Sequence, residues 1–312
     1  MLYRRLWFVL LLGGLFSPLK GLAWSAHGHA AIAEAAFAQI STEQQHYFDQ
    51  QAKALMTNER AKKWRKSLVH YSAFSQAAVW PDTRRDMALN TVFSRFAKTA
   101  IPPALAHFAS ANTKQWHYVN AQYWDTTRQQ LLPASSVLGR CKVKRTGQLD
   151  AVLPALIEAY HQLKTPAAQG VVLAFIGHLM ADAYQPLHTL AGLDAQCYSD
   201  AGGNGYCLST GKRRCALNLH RLWDAGFEVF QQPIKSGPLS GDLLKLNDFN
   251  AVFSASAQEA AFIYSTPRLQ PPNKAYTRQA AAIVARQSAA AAQALAALLH
   301  TIYTQKQRAN NE

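Results

Sequence analysis

The sequence predicts an all-α protein: a single mainly helical domain with long connecting loops and at most a small hairpin. Two observations lead to this prediction. Apolar and alanine-rich segments recur at helical spacing along the chain, whereas alternating strand patterns are scarce. No Gly/Ser-rich or Pro-rich linker and no internal repeat divides the 312 residues, a length that suits one large domain.

The helical segments are separated by recognisable start and stop signals. Ser41 and Gln44 form a plausible capping box ahead of the second helix. Pro154 is expected in the first turn of its helix, since an interior proline removes a hydrogen bond, and Pro186 is expected to stop another helix. The glycine-rich, polar segment 197–215 is expected to be loop with room for a small hairpin. The predicted helices cover residues 30–40, 41–55, 149–163, 171–184, 219–230 and 276–303.

The first 23 residues have the features of an export signal. Two arginines precede an apolar run over residues 6–16, and small residues ending at Ala23 form a cleavage site. The run is too short to span a bilayer, which takes roughly 20 apolar residues. No later stretch is expected to be apolar enough to form a membrane helix. We therefore expect a secreted or periplasmic protein that begins at Trp24, with residues 24–312 forming one domain.

Export also affects the interpretation of the four cysteines, because the compartment outside the cytoplasm is oxidising. Three disulfide connectivities are possible. We favour Cys141–Cys197 together with a local Cys207–Cys215 loop. Two disulfides do not frame the fold, since a chain of this length can bury a core of its own.

The chain is strongly basic, with a formal net charge of +14. The leader contributes three of these positive charges and no acid, which leaves +11 on the mature protein. Such a balance favours polyanionic partners: nucleic acid, anionic lipid or phosphate esters. Many basic exported proteins bind no nucleic acid, so charge alone does not choose among them.

The most informative feature is the spacing of histidine and aspartate. His178 and Asp182 stand four residues apart on a predicted helix, so their side chains leave the same face. His188 follows just beyond the end of this helix, and His220 and Asp224 repeat the spacing of four. A lone histidine on an apolar helix is more often a core residue, but two such pairs favour a metal site. Imidazole and carboxylate together suit zinc.

Further candidate ligands lie upstream, each weak by itself. Asp82 stands in a Trp-Pro-Asp turn, and His117 lies among aromatic residues. His29 follows five residues after Trp24, the predicted new N-terminus. A free α-amino group has a pKa of about 8, so a metal can displace its proton and bind the nitrogen. The adjacent carbonyl oxygen of Trp24 would close a chelate ring.

Together these residues resemble the zinc-dependent, single-strand-preferring nuclease and 3′-nucleotidase family of fungi, plants and bacteria, which includes mung-bean nuclease. The resemblance extends from Trp24 to about Asp224, with a compatible helical tail. Its densest part is the run from His178 to His188. The other signature pieces are Trp24 with Gly28-His29, Trp80-Pro81-Asp82, His117, Gly202-Gly203-Asn204 and Asn218-Leu219-His220 through Trp223-Asp224.

The resemblance implies three zinc ions held by nine residues. The second ion would share the carboxylate of Asp182 with the first, so that the pair stays about 4 Å apart and generates hydroxide near neutral pH. Asp82 and Asp182 would thereby belong to the catalytic centre. The ligands would be Asp82, His117, His178 and Asp182 for the first ion, Asp182, His29 and the amine and carbonyl of Trp24 for the second, and His188, His220 and Asp224 for the third.

The resemblance also implies contacts with the substrate. Arg85 occupies the position of a cation directed at the phosphoryl group, although a solvated arginine beside Arg84 is the alternative. Tyr118 matches an aromatic position on which a base stacks, which requires an unstacked base and so favours single strands. Asn120 stands where fungal relatives carry Asp, so base preference is not carried over. Asn204 would contact substrate or merely form a turn.

The implied activity is endonucleolytic hydrolysis of single-stranded DNA and RNA to 5′-phosphate products, with 3′-nucleotidase activity. Nucleic acids and nucleotides would be the substrates, and no stable protein partner is implied. The alternative is a zinc phospholipase C acting on lipid head groups, which shares the helical fold and an N-terminal Trp ligand. Its last ligand pair ends in Glu, whereas here it ends in Asp224. A basic binding protein with structural zinc is disfavoured, because structural sites are closed four-ligand shells rich in cysteine.

Overall fold

The computed structural model describes residues 24–57, 63–134, 137–138, 141–211, 215–235, 237 and 249–311. The predicted leader lies outside these residues, and its removal stays a prediction. Within them the protein is mainly helical, which confirms the predicted fold class. The α-helices are α1 (Ala26–Phe37), α2 (Thr42–Thr57), α3 (Ala73–Ala77), α4 (Leu89–Val92), α5 (Leu149–Gln162), α6 (Pro166–Ala183), α7 (Pro186–Thr189), α8 (Leu219–Asp224), α9 (Phe249–Gln258), α10 (Ala260–Ile263) and α11 (Lys274–Asn311).

Helix α6 is the centre of the fold. It contacts α1, α2, α3, α5 and α11, and every residue from 168 to 183 is buried. Thr165 caps its first turn by accepting from the Ala168 amide. Gly170 permits the close approach of α2, since a Cβ there would lie 2.3 Å from the Gln51 carbonyl oxygen. Because α6 is buried on all sides, any polar side chain on it enters the interior.

The sequence was expected to contain no stretch after the leader that is apolar enough for a membrane span. That expectation is wrong, because two helices have the length and composition of a span. Pro166–Ala183 and Lys274–Ala309 both have the required length, and each contains an 18-residue window with a mean hydropathy of 1.2 and 1.3, respectively. Their most apolar windows are 89% and 67% buried within the fold. Burial against neighbouring helices therefore accounts for their apolar composition.

Two of the predicted helices differ in detail from those in the structure. Pro154 is not in the first turn of α5 but in its interior, because the helix already begins at Leu149. The Leu149 amide is bonded to the Tyr118 carbonyl, which sets this start. The predicted helix over 219–230 ends early, at Asp224. Gly226, Phe227 and Glu228 all have positive φ values of 49–71°, so the chain turns within the short 3₁₀ segment Gly226–Gln231.

Strand content exceeds the one small hairpin that was expected. Three small sheets contain β1 (Gln122–Asp125), β2 (Gln130–Pro133), β3 (Val137–Leu138), β4 (Cys141–Lys142), β5 (Leu190–Leu193), β6 (Cys207–Thr210) and β7 (Cys215–Asn218). Strand β1 pairs antiparallel with β2 and parallel with β5. The β1–β5 pairing is important for the site, because it joins the chain after residue 117 to the chain after residue 188.

The polar segment before α8 contains the hairpin that was allowed for, β6–β7, and the predicted Cys207–Cys215 disulfide closes it. Cys197 is also disulfide-bonded. The side chain of its predicted partner, Cys141, lies outside the described part of the structure, so that pairing stays a prediction. The closed hairpin leads directly into α8 at Asn218, whose side chain caps the helix by accepting from the Arg221 amide.

Candidate metal centre

Helix α6 supplies the two residues around which the candidate centre is built. The Nε2 atom of His178 lies 3.2 Å from Oδ2 of Asp182, one turn further along the same face. The other ring nitrogen of His178, Nδ1, lies 2.8 Å from the Ala78 carbonyl oxygen and is placed to donate to it. That hydrogen bond leaves Nε2 as the ring nitrogen that faces the carboxylate, and this atom can bind a metal once it has lost its proton.

Two 3₁₀ helices bring Asp82 and His117 to the same place. Asp82 belongs to Trp80–Arg84, and His117 is the last residue of Thr113–His117. Nδ1 of His117 lies 3.0 Å from Oδ2 of Asp182 and 3.7 Å from Oδ1 of Asp82. It also lies 2.9 Å from Nε2 of His178. Four side chains from distant parts of the chain therefore meet within one buried cluster.

His29 approaches Asp182 from the other side. Its ring stacks on that of His178, with centroids 3.7 Å apart, and its Nε2 atom lies 3.4 Å from Oδ1 of Asp182. The main chain just before His29 is held by two hydrogen bonds. The indole of Trp24 donates to the Ala181 carbonyl at 2.9 Å, and the Ser25 amide donates to the Asp224 carbonyl at 2.8 Å.

A third group forms where α7 meets α8. Nε2 of His220 lies 3.4 Å from Oδ2 of Asp224, and Nε2 of His188 lies 3.8 Å from Oδ1 of the same carboxylate. Nδ1 of His188 lies 3.2 Å from Oδ1 of Asp182, which links this group to the first cluster. The β1–β5 pairing continues here, as the Val119 amide donates to the His188 carbonyl at 2.7 Å.

Among the residues that the structure describes, three sets of side chains are close enough to hold a metal ion, with ligand atoms within 4.8 Å of one another. Two of these sets agree with groupings expected from the sequence. In the third set His29 lies with Asp82 and His178, whereas the sequence placed it with Asp182. The sets are His117, His178 and Asp182; His188, His220 and Asp224; and His29, Asp82 and His178.

These groups have the polar atoms that a metal would satisfy. Both ring nitrogens of His29 and of His188 are buried without a hydrogen-bond partner, as is Oδ1 of Asp182. Oδ1 of Asp82 and Oδ2 of Asp224 are also buried without a hydrogen-bond partner. A buried polar atom left unpaired costs about 1–3 kcal/mol, and native proteins rarely contain several together. The donor set of imidazole nitrogen and carboxylate oxygen therefore fits zinc.

Burial sets the protonation of three of the imidazoles. Removal from water lowers the pKa of His29, His117 and His220 from the ordinary value near 6.5. For His220 the nearby Arg85 guanidinium acts in the same direction. All three are thus neutral at pH 7 and carry a lone pair for a metal.

Asp182 reverses this effect for the other two imidazoles. Burial would lower the pKa of His188, but the nearby carboxylates of Asp182 and Asp224 raise it to about 10. The pKa of His178 is likewise raised against burial, by Asp182 and Asp82. Burial would raise the pKa of Asp182, but His178 and His188 hold it well below its usual range. Without metal, Asp182 is therefore a carboxylate that favours the protonated form of both neighbouring imidazoles.

The predicted substrate-binding residues have different surroundings. Nη1 of Arg85 lies 3.9 Å from Oδ1 of Asp82, and the side chain is about a quarter exposed, so it lies at the edge of the centre. Tyr118 directly follows His117 and is half-buried. Asn120 is buried and donates to Thr146 Oγ1 at 2.8 Å. Asn204 is exposed and donates to the Ala201 carbonyl within its own turn, at 2.9 Å.

Sequence reasoning missed residues that orient the candidate ligands through hydrogen bonds to their side chains. The fully buried Gln185 donates from Nε2 to Oδ1 of Asp224 at 2.7 Å and accepts from the Leu187 amide. The carbonyl of Gly202 lies 2.6 Å from Nδ1 of His220. The available signal was the position of Gln185 inside the run from His178 to His188 and of Gly202 inside the Gly202-Gly203-Asn204 piece. Such partners fix the ring orientation of metal-binding side chains.

A sizeable cavity lies elsewhere in the described part of the chain. It has a volume of about 900 Å³ and is lined by His27 and Glu34 from α1 and by Phe227 and Phe230. None of the candidate ligands lines it. The candidate centre is therefore identified by its converging donor atoms and not by an enclosed cavity.

Comparison with known proteins was consistent with this site. A family model described as S1/P1 Nuclease matches residues 24–270. The match begins at Trp24 and includes every candidate ligand. No curated protein matches the chain.

Proposed function

Because this chain belongs to the S1/P1 nuclease family, we propose that it is a zinc-dependent endonuclease acting on single-stranded DNA and RNA. Family membership itself makes it a nuclease, a hydrolase of phosphodiester bonds. The finer proposal is that its products carry 5′ phosphates and that it also removes 3′ phosphates from nucleotides. The site could hold metal ions, since three His/Asp groups converge in the interior. We further propose export, with cleavage between Ala23 and Trp24.

The observation that best supports this proposal is that the two oxygens of Asp182 face different imidazoles. Oδ2 faces Nδ1 of His117 and Nε2 of His178, at 3.0 and 3.2 Å. Oδ1 faces Nε2 of His29 and Nδ1 of His188, at 3.4 and 3.2 Å. One carboxylate thus presents each oxygen to a different pair of imidazoles, the arrangement that a bridging ligand between two ions requires.

We therefore assign nine residues to three zinc ions. His29 is assigned to the second ion because it faces Oδ1 of Asp182, although it also lies near Asp82 and His178. When bound, such ions supply a Lewis acid and a water of lowered pKa. The proposed ligands are Asp82, His117, His178 and Asp182 for the first ion, Asp182, His29 and the amine and carbonyl of Trp24 for the second, and His188, His220 and Asp224 for the third.

The chain's own residues would orient the substrate around this centre. Arg85 has a free path to solvent and lies next to both Asp82 and His220, so its guanidinium can pair with a phosphoryl oxygen as charge develops there. The ring of Tyr118 would stack on a base, which is worth about 1–3 kcal/mol and needs an unstacked strand. Asn120 and Asn204 are weaker candidates for base contact, because each already has a partner within the fold.

One assay tests the proposed function against its alternatives. The zinc-loaded protein is incubated separately with single-stranded DNA, RNA and phosphatidylcholine, with and without a chelator. We expect cleavage of both nucleic acids, 5′-phosphate ends on the products, and loss of activity with the chelator. Release of phosphocholine alone would make the protein a phospholipase C. Consumption of none of the three would leave a binding protein.

Arg85→Ala is expected to lower kcat by about 10²-fold or more, the typical effect of removing one group that stabilises developing charge. Zinc content and thermal stability should be unchanged, because Arg85 is not a proposed ligand and its side chain is partly exposed. Steady-state kinetics with elemental analysis of zinc check this. Arg84→Lys is a suitable control for charge near the site. Unchanged kinetics in Arg85→Ala would mean that Arg85 is an ordinary surface residue.

Zinc binding is expected to release protons. In the metal-free protein His188 has a pKa near 10, and that of His178 is also raised. His188 is therefore protonated at pH 7.5 and must lose its proton to bind metal, so at least one proton should leave per chain. Calorimetric titrations in buffers of different ionisation enthalpy measure this number. Zinc uptake without proton release would contradict the participation of His188.

The same groups set the sign of the pH dependence of stability. In the metal-free protein the raised pKa of His188 makes its contribution complete below about 6.5 and lost as pH rises through about 10. In the zinc-loaded protein the imidazoles must stay neutral, so the contribution of bound zinc is present above about 6.5, the pKa of a free histidine, and is lost as pH falls below it. The difference in Tm between loaded and chelator-treated protein should therefore shrink in acid.

A further inference from the structure

A turn over residues 201–204 sets the orientation of His220. Nδ1 of this imidazole lies 2.6 Å from the Gly202 carbonyl oxygen, and the His220 amide donates to the Gly203 carbonyl at 3.3 Å. Both polar groups of His220 that face away from Asp224 are thus bonded to one short turn. The direction of Nε2 therefore depends on where this turn lies.

The turn has a backbone that local preferences alone would not maintain. Ala201, Gly202 and Gly203 have φ values of 53°, 64° and 82°, three left-handed residues in succession. A non-glycine residue in this region costs of order 1 kcal/mol and persists when the surrounding structure holds it. Gly202 also packs tightly, since a Cβ there would lie 2.3 Å from the Leu187 carbonyl oxygen, directly before His188.

The buried carboxylate of Asp200 is the group that holds the turn. Its Oδ1 atom accepts from the Gly203 amide at 3.0 Å and from the Gly192 amide at 2.7 Å. Its Oδ2 atom accepts from the hydroxyl of the buried Tyr264 at 2.9 Å. Its main chain bonds Gly192 and Gly205 in addition. One side chain thus ties the turn to β5, the strand that directly follows His188 and α7.

We propose that Asp200 is a positioning residue for the third metal group, His188, His220 and Asp224. This proposal rests on the function proposed above. The role of Asp200 is to hold the turn and β5 at a fixed separation, so that His220 and His188 converge on Asp224. The first cluster does not depend on it, because Asp82, His117 and His178 are placed by α6 and the 3₁₀ helices. Loss of the Asp200 carboxylate should therefore weaken one zinc site selectively.

Asp125→Ala provides a matched control. Asp125 is also a buried carboxylate that caps a turn after a strand, accepting from the Thr127 and Arg128 amides at 2.9 Å each. Its side chain also accepts from the Arg128 guanidinium at 2.7 Å and, within the described part of the chain, bonds neither a proposed ligand nor the 201–204 turn. If Asp200 only stabilises a loop, both alanine variants should lower the Tm of the metal-free protein. Neither variant should then change the affinity for zinc.

The experiment measures zinc affinity and zinc position, not nuclease activity alone. In Asp200→Ala the affinity of one of three zinc ions should fall about 10–100-fold, the usual effect of removing a partner behind a metal ligand. Anomalous diffraction at the zinc edge should show the loss at His188, His220 and Asp224. Asp125→Ala should keep three ions with unchanged affinity. Asp200→Asn should retain most of the affinity, because its amide oxygen can still accept from Gly192 and Gly203.

Asp200→Glu covers the possibility that the alanine variant does not fold. It keeps the carboxylate, but its extra methylene must displace the turn, because Oδ2 already lies within 2.6 Å of where a Cβ on Gly192 would be. Selective weakening of the third ion is again expected. Zinc titrations of Asp200→Ala or Asp200→Glu that match those of Asp125→Ala would overturn the proposal. A wild-type protein that binds three zinc ions but cleaves no nucleic acid would contradict only the proposed function.

Discussion

Asp182→Asn is expected to bind fewer than three zinc ions per chain and to lose several orders of magnitude in activity. Asp182 is fully buried, and its two oxygens face four imidazoles at 3.0–3.4 Å. An amide is neutral and offers one oxygen, and its NH₂ group would point donors at ring nitrogens that must act as ligands. The variant would thus lose both the charge shared by two cations and one side of the bridge.

Elemental analysis and single-strand cleavage assays check this expectation. Asp125→Asn is the control, since it makes the same chemical change in a buried carboxylate away from the centre. The control should keep its zinc and most of its activity. A fully loaded and active Asp182→Asn protein would end the assignment of Asp182 as a bridge.

A protein that keeps a few residues ahead of Trp24 is expected to bind one zinc poorly and to be nearly inactive. Before cleavage the nitrogen of Trp24 is an amide whose lone pair is delocalised, and it is a poor ligand at neutral pH. After cleavage it is an amine able to chelate with its own carbonyl. Trp24 is buried, and its hydrogen bond to Ala181, together with that of Ser25 to Asp224, holds the new terminus between two proposed ligands.

The test compares a protein starting at Trp24 with one that carries a protease site directly before it. The extended protein should regain activity and its missing zinc when the protease exposes Trp24. A second extended protein, cleaved to leave one extra residue, separates a free amine from an amine on Trp24. Equal activity in all forms would remove the N-terminus from the ligand set and reduce the proposed three zinc ions to two. If the result is as expected, the enzyme is inactive in the cytoplasm until export.

The sequence alone determined those parts of the site that depend on local geometry. His178 with Asp182, and His220 with Asp224, lie on one helical face because residues four apart on any α-helix do so. The structure places each pair within 3.2–3.4 Å. The fold class could be predicted for the same reason, since helical periodicity is a property of neighbouring residues. The disulfide between Cys207 and Cys215 closes a short loop and was also within reach of the sequence.

Tertiary structure decided how these local pieces combine. Strands β1 and β5 are only four residues long and carry little pattern, yet their parallel pairing brings the chain after His117 beside that after His188. The early end of α8 depends on left-handed residues after Asp224 that no periodicity indicates. Likewise, the apolar helix α6 is a core helix because other helices cover it on all sides. The two oxygens of Asp182 could be assigned to different imidazoles only once the helices were packed. The physical reason is the range of the interactions: helix geometry is set within four residues, whereas pairing and packing depend on the free energy of contacts between segments far apart in the chain.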